Sequence, residues 1–198
     1  MARFLSLITL LLFLSPFPTL LAFVVDIEDN PLRNSGSYYI IPKGDGGSLT
    51  LAEKSGEPEC PNYITQKPSS KGLPVTISSL LRILYIPVSA PVFFAFNTDS
   101  STCTAPQGWR VITDTITSKK YVVTGGLPST TFPVLFTIEE TGSGDKKIAY
   151  KIRYCDQEDN CGDVGFFEEN GLMGITDENL LLVEFNKVND NKSGLFQI

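Results

Sequence analysis

The 198 residues contain no histidine at all. Ser-His-Asp and Cys-His catalysis both need an imidazole that titrates near neutrality, so neither can operate here. The same absence removes HExxH zinc chemistry. Cysteine is scarce too, with four residues and no C-x-x-C spacing, so no structural zinc site is expected. Basic residues are outnumbered by acidic ones, 16 to 22, for a net charge of −6, which argues against nucleic acid as a partner. There is no phosphate-binding P-loop. Gly142-Ser143-Gly144 lacks the third glycine of a dinucleotide loop and precedes a strand-like stretch. The run Asp156–Asp163 (DQEDNCGD) starts like a calcium loop. Cys161, however, stands where the sharp-turn glycine belongs and no Glu occupies the twelfth position, so it reads as a solvated acidic loop. Glu168 and Glu169 are adjacent and on a strand would face opposite sides, which is poor geometry for two-carboxylate glycoside hydrolysis. An enzyme is disfavoured, and no metal or cofactor is expected.

The only long apolar run lies at the start. Arg3 is followed by the block Leu5–Leu14, a break at Pro16 and Pro18, and the small residue Ala22. This is the order of a secretory signal peptide over residues 1–22, with an apolar core too short for the roughly 20 residues of a spanning helix. The remainder carries 15 basic and 22 acidic residues, net −7. It is long enough for one self-sufficient core, expected over residues 23–188, followed by a polar tail at 189–198. Secretion places it outside the cell or in a vacuole, soluble once the leader is removed. Nothing suggests an oligomer.

Helical periodicity is almost absent. Short runs rich in β-branched and aromatic residues recur instead: Ser37–Pro42, Ser48–Glu53, Leu73–Ser78, Pro91–Phe96, Trp109–Asp114, Lys120–Gly125, Pro133–Glu140, Lys147–Cys155, Asp163–Glu169 and Leu180–Val188. Clusters of Gly, Pro, Asn, Asp and Ser separate them. Ten to twelve such strands at roughly 8–15-residue spacing indicate an all-β sandwich or barrel. In Lys147–Cys155 the alternation puts Ile148, Tyr150, Ile152 and Tyr154 on one face. In an oxidising compartment the four cysteines read as two disulfides, for which three pairings can be drawn. Cys155 and Cys161 flank a short polar loop and favour a local clasp, which leaves Cys60 with Cys103. One charge is out of place: in SSLLRILYIP, Ser78–Pro87, Arg82 interrupts an apolar run. An edge strand with the arginine stem packed and its head in water would explain it. So would a loop that presents the arginine.

The stretch VVDIEDNPLRNSGSYYIIP, Val24–Pro42, resembles the N-terminal signature of the plant Kunitz-type, soybean trypsin inhibitor family. The similarity continues through EPECP around Cys60, TISSLLRILYIP, Cys103 with Trp109 close behind, YCDQEDNCGDVG and LLLVEFNKV. The resemblance implies a β-trefoil of twelve strands with pseudo-threefold symmetry, a six-stranded barrel closed by three hairpins, and it supports the pairings Cys60–Cys103 and Cys155–Cys161. It also implies substrate-like inhibition of a trypsin-like serine protease through the loop after the fourth strand. Arg82 would be the primary specificity residue and Arg82–Ile83 the reactive bond, within a loop that includes Ser79, Leu80, Leu81 and Leu84. Asn34 matches the asparagine that braces that loop. The Leu80-Leu81 approach is more apolar than in trypsin-directed members, and Pro87 and Pro91 stiffen the following segment. Other readings on the same scaffold are a non-inhibitory storage or binding protein and an inhibitor of another hydrolase class. Asn191-Lys192-Ser193 is a glycosylation acceptor sequence. Asn30-Pro31-Leu32-Arg33 resembles a vacuolar sorting signal, but it lies inside the N-terminal signature, which accounts for it.

Overall fold

A computed structural model describes residues 22–44, 47–56, 60, 62–97, 103, 107–125, 135–142, 148–156, 158 and 160–188. Most of the expected leader, the 189–198 tail and the Asn191 acceptor lie outside the described residues. Thirteen strands form and no helix appears among the described residues. They are β1 (Gly36–Pro42), β2 (Gly47–Ala52), β3 (Asn62–Pro68), β4 (Val75–Ser78), β5 (Pro91–Phe96), β6 (Trp109–Thr113), β7 (Lys120–Thr124), β8 (Phe136–Thr141), β9 (Ala149–Cys155), β10 (Cys161–Phe166), β11 (Met173–Ile175), β12 (Asn179–Leu180) and β13 (Leu182–Lys187).

The pairings close a ring. β1 joins β4, β4 joins β5, β5 joins β8, β8 joins β9, β9 joins β13, and β13 returns to β1, all antiparallel. The ring is a six-stranded barrel, and closure removes its sheet edges. The strands left over form three hairpins, β2–β3, β6–β7 and β10–β11. They meet through β3–β7 and β7–β11 pairings and cap one end of the barrel. Each third of the chain thus supplies two ring strands around one hairpin, the threefold plan of a β-trefoil. The twelve expected strands are all present. The two-residue β12, paired to β10, is additional.

Alternation fills the barrel. Tyr38 and Ile40 of β1, Phe94 of β5, Phe136 of β8, Tyr150 and Ile152 of β9 and Phe185 of β13 are each at most 1% exposed. Each such side chain contributes about 1.5–3 kcal/mol by leaving water. Phe94 stacks on Trp109 at 4.5 Å between ring centres and meets Phe136 edge-on at 5.7 Å. A second cluster, Tyr63, Tyr121, Val123, Phe167 and Leu172, lies beneath the hairpins. One expectation needs correcting at β9. Tyr150 and Ile152 face the core, but Ile148 is 43% exposed because the strand begins only at Ala149. Glu168 and Glu169 fall in the turn after β10, not on a strand.

Both disulfides form as expected, Cys60–Cys103 and Cys155–Cys161. Gly125, with φ +71°, runs beside Cys103; a Cβ there would sit 2.6 Å from the cysteine Cβ, so only glycine fits. Cys155 and Cys161 face each other directly across the β9–β10 pairing. Asp156 already ties that hairpin tip, accepting hydrogen bonds from the Glu158 and Asn160 amides at 3.0 and 2.9 Å. The two bridges therefore differ in weight. Replacing both Cys155 and Cys161 by Ser is expected to lower stability by at most about 2 kcal/mol, against roughly 4 kcal/mol for the 43-residue Cys60–Cys103 span. Urea unfolding midpoints of the two double variants measure the difference.

Candidate functional site: the β4–β5 loop

Residues 79–90 connect two adjacent ring strands, yet the segment does not take the short path. It swings outward and exposes a contiguous apolar face: Leu80 is 65% exposed, Leu81 48% and Leu84 61%. Arg82 stands exposed among them and Ile83 is half-buried. Single exposed aliphatics are ordinary, but a cluster on one projecting loop marks a contact surface. Arg82 is thus neither on an edge strand nor folded back on the barrel.

The loop is shaped from within and from below. The Ile83 amide donates to the Leu81 carbonyl at 2.9 Å, a three-residue turn centred on Arg82. The φ of Arg82 is not positive, so this turn is the relaxed, inverse form. At the loop's start the Ser79 hydroxyl donates to the Pro91 carbonyl at 3.0 Å and accepts from the Leu81 amide at 3.2 Å, which ties the departing chain to the first residue of β5.

Asn34 supplies the support from below. Its Nδ2 donates to the carbonyls of Ile83 (3.1 Å), Leu81 (3.2 Å) and, more weakly, Ser79 (3.4 Å). Its Oδ1 accepts from the Ser79 amide at 2.8 Å, which fixes the orientation of the amide group. Its own backbone amide donates to Leu84 O at 2.9 Å. One side chain therefore grips the backbone on both sides of Arg82, and the Arg82 side chain is left free of it. Asn34 is placed by the turn into β1, where Ser35 has φ 62° and its amide donates to the Ile77 carbonyl at the end of β4. The structure brings Asn34, Ser79, Leu80, Leu81, Arg82, Ile83 and Leu84 together, while the two disulfides stand on the scaffold.

Sequence reasoning missed two groups that anchor the segment leading to Asn34. The Arg33 amide donates to the Tyr38 hydroxyl at 2.7 Å, and the Val25 amide to the Tyr150 hydroxyl at 2.9 Å. Burial pushes both phenols above their ordinary titration range, partly offset by the backbone hydrogen bonds they accept, so both stay neutral hydroxyls. Among the described residues no group of His, Cys, Asp and Glu is arranged to hold a metal.

Residues 24–187 match the family model for legume Kunitz proteins, described as trypsin and protease inhibitors. Trypsin inhibitor BvTI of Bauhinia variegata is 35% identical over 177 residues, covering 85% of this chain and 97% of the relative. Trypsin inhibitor 1B of Psophocarpus tetragonolobus is 34% identical over 172 residues, with 83% and 97% covered. Among solved structures, soybean trypsin inhibitor in its complex with porcine pancreatic trypsin superposes with a TM-score of 0.70 at 28% identity, covering 84% of this chain and 99% of that one. The fold, the disulfide pattern and these relatives agree, and the chain belongs to the legume Kunitz family of trypsin and protease inhibitors.

Proposed function

We propose that this protein is a substrate-like inhibitor of trypsin-like serine endopeptidases, with Arg82 as the residue that enters the primary specificity pocket and Arg82–Ile83 as the bond offered to the enzyme. The observation that supports this most directly is the Asn34 side chain, which holds the Leu81 and Ile83 carbonyls at 3.2 and 3.1 Å while Arg82 projects between them. A loop already fixed in its bound shape loses little ordering entropy on association, which favours tight binding over turnover. The long guanidinium suits a pocket closed by an aspartate, where it forms charge-assisted, paired hydrogen bonds. Leu81 and Ile83 fill the adjoining subsites. If the loop is cut, its new ends remain held side by side by Asn34, so religation competes with release.

On this reading the leader directs the chain into the secretory pathway, and the mature inhibitor works as a monomer, extracellular or vacuolar, without a cofactor. Titration of active trypsin tests the proposal. A linear fall to zero activity at one equivalent is expected, with a Kd of nanomolar order or below, about −12 kcal/mol. Continued full activity at tenfold excess would sink it. The absence of histidine and of any free cysteine adds a pH expectation. No side chain of either type titrates on the inhibitor between about pH 5 and 8. The pH profile of the inhibition constant over that range is therefore expected to follow the protease alone.

A further inference from the structure

Besides the Tyr38 and Tyr150 hydroxyls, Asn34 is steadied by a small N-terminal hairpin, residues 22–34, which is outside the barrel's ring and hairpins. Val25 bridges to Pro31 across the turn, Phe23 bridges to Pro87, and Arg33 to Tyr85. At its centre three residues close a cycle of backbone hydrogen bonds. Val24 N–H donates to Ile86 O at 2.9 Å, Ile86 N–H to Leu32 O at 2.9 Å, and Leu32 N–H to Val24 O at 2.8 Å. All three side chains are fully buried. Leu32 lies two residues before Asn34, and Ile86 two residues after Leu84. The cycle therefore joins the residue that grips the loop to the limb by which the loop returns.

The hairpin is closed by one carboxylate. Asp26, 5% exposed, accepts at Oδ1 from the amides of Glu28 (2.9 Å) and Asn30 (3.0 Å), with a longer contact from Asn30 Nδ2 at 3.4 Å. Its backbone amide donates to Asn30 O at 2.9 Å, and Ile27 N–H ties the turn to Phe185 O on β13 at 2.9 Å. Asp29 takes φ 62° to complete the turn. Without the carboxylate, two amides in this tight turn lose their acceptor, and an open turn can supply water to them only by loosening.

We infer that Asp26 is a positioning residue of the reactive loop: by closing the 26–30 turn it fixes the strand that carries Asn34 and so sets how far the loop resists cleavage. It touches neither the loop nor the enzyme, and the inference rests on the inhibitor reading above. Its structural half, the coupling of turn to loop, can be measured without any protease.

The test compares wild type, Asp26→Ala, Asp26→Asn and a core control, Ile138→Val, in the whole mature chain. Ile138 is fully buried on β8, and removing one of its methyl groups lowers core stability while leaving the hydrogen bonds of the 26–30 turn in place. Amide hydrogen exchange in the free protein reads the loop at the Ser79 and Ile83 amides and the barrel at Ile152. In Asp26→Ala the two loop amides are expected to exchange about tenfold faster or more while Ile152 is unchanged. Trypsin is expected to cut Arg82–Ile83 faster by a similar factor. Asp26→Asn keeps an oxygen acceptor and is expected to recover most of both effects, whereas Ile138→Val is expected to move neither. Loop exchange in Asp26→Ala that is unchanged, or that rises only as it does in the core control, overturns the inference. If Asp26→Ala does not fold, Asp26→Ser, a shorter and weaker acceptor, carries the same comparison. Wild type that fails to inhibit trypsin while its loop still loosens in Asp26→Ala overturns only the Arg82 reading.

Discussion

Arg82→Ala is expected to weaken inhibition of trypsin about a thousandfold, with little change in unfolding midpoint. Arg82 is exposed and makes none of the hydrogen bonds that shape the loop through its side chain, so removing it leaves the fold intact. In the proposed complex the same side chain becomes the buried anchor at the interface centre, and truncating such a hot-spot residue costs about 4 kcal/mol. That energy corresponds to roughly three decades in the inhibition constant. Two further variants sharpen the expectation. Arg82→Lys keeps the charge but loses the paired donors, so it is expected to weaken inhibition by only about tenfold. Arg82→Leu turns Leu80–Leu84 into an unbroken apolar run and is expected to redirect the loop toward a protease with a hydrophobic primary pocket, such as chymotrypsin. Inhibition constants against both enzymes, measured beside a urea titration, check the set. Equal inhibition of trypsin by wild type and Arg82→Ala would show that another surface does the work.

Asn34→Ala is expected to act on a different quantity. The substitution removes donors to three loop carbonyls and an acceptor for the Ser79 amide. Arg82 is still available to the enzyme, so initial recognition survives. What is lost is the ready-made shape and the tether that keeps the two sides of a cut bond together. We expect the inhibition constant to rise about 10- to 100-fold, in line with about 1.4–2.8 kcal/mol of ordering that binding must now supply. We also expect inhibition to become temporary as the loop is consumed. Progress curves at a fixed ratio of inhibitor to trypsin distinguish the two variants: Arg82→Ala gives weak inhibition from the start, and Asn34→Ala gives inhibition that decays. A stable complex with Asn34→Ala would mean that the turn at Arg82 and the Ser79 contacts hold the loop unaided.

Much of this arrangement could be read from the residues themselves, and the failures have physical causes. Strands such as Pro91–Phe96 were legible as short runs of β-branched and aromatic residues between turn formers, and the barrel buries alternate members of that run. β3, NYITQKP, was not, because only its first half packs and its second half runs polar to the surface. β11 and β12 are three and two residues long, too short to show a period. Arg82 was conspicuous as a cation in an apolar run, and its neighbours came with it. The role of Asn34 rested on family resemblance, since a single asparagine before Ser-Gly reads as any turn former. Asp26 had a local signal that went unused: Asp-Ile-Glu-Asp-Asn-Pro, Asp26–Pro31, opens on an aspartate and closes on Asn-Pro, the mark of a turn with a side-chain acceptor. The hydroxyls of Tyr38 and Tyr150 had none. Each hydrogen-bonds a residue far along the chain or across a turn, and nothing in an alternating strand marks a buried phenol that carries a partner.

Cys60 and Cys103 lie on opposite sides of Arg82–Ile83 in the chain, so their disulfide would keep the two halves of a cut inhibitor covalently joined. This makes the proposed reactive bond directly observable. The purified protein is incubated with a trace of trypsin at mildly acidic pH, and the products are run with and without reductant and sequenced from their new amino terminus. One cut is expected, beginning Ile83-Leu84-Tyr85-Ile86-Pro87, invisible without reductant and resolved into two fragments with it. A first cut at any other lysine or arginine, with Arg82–Ile83 left intact, would contradict the assignment of this loop as the face that meets the protease.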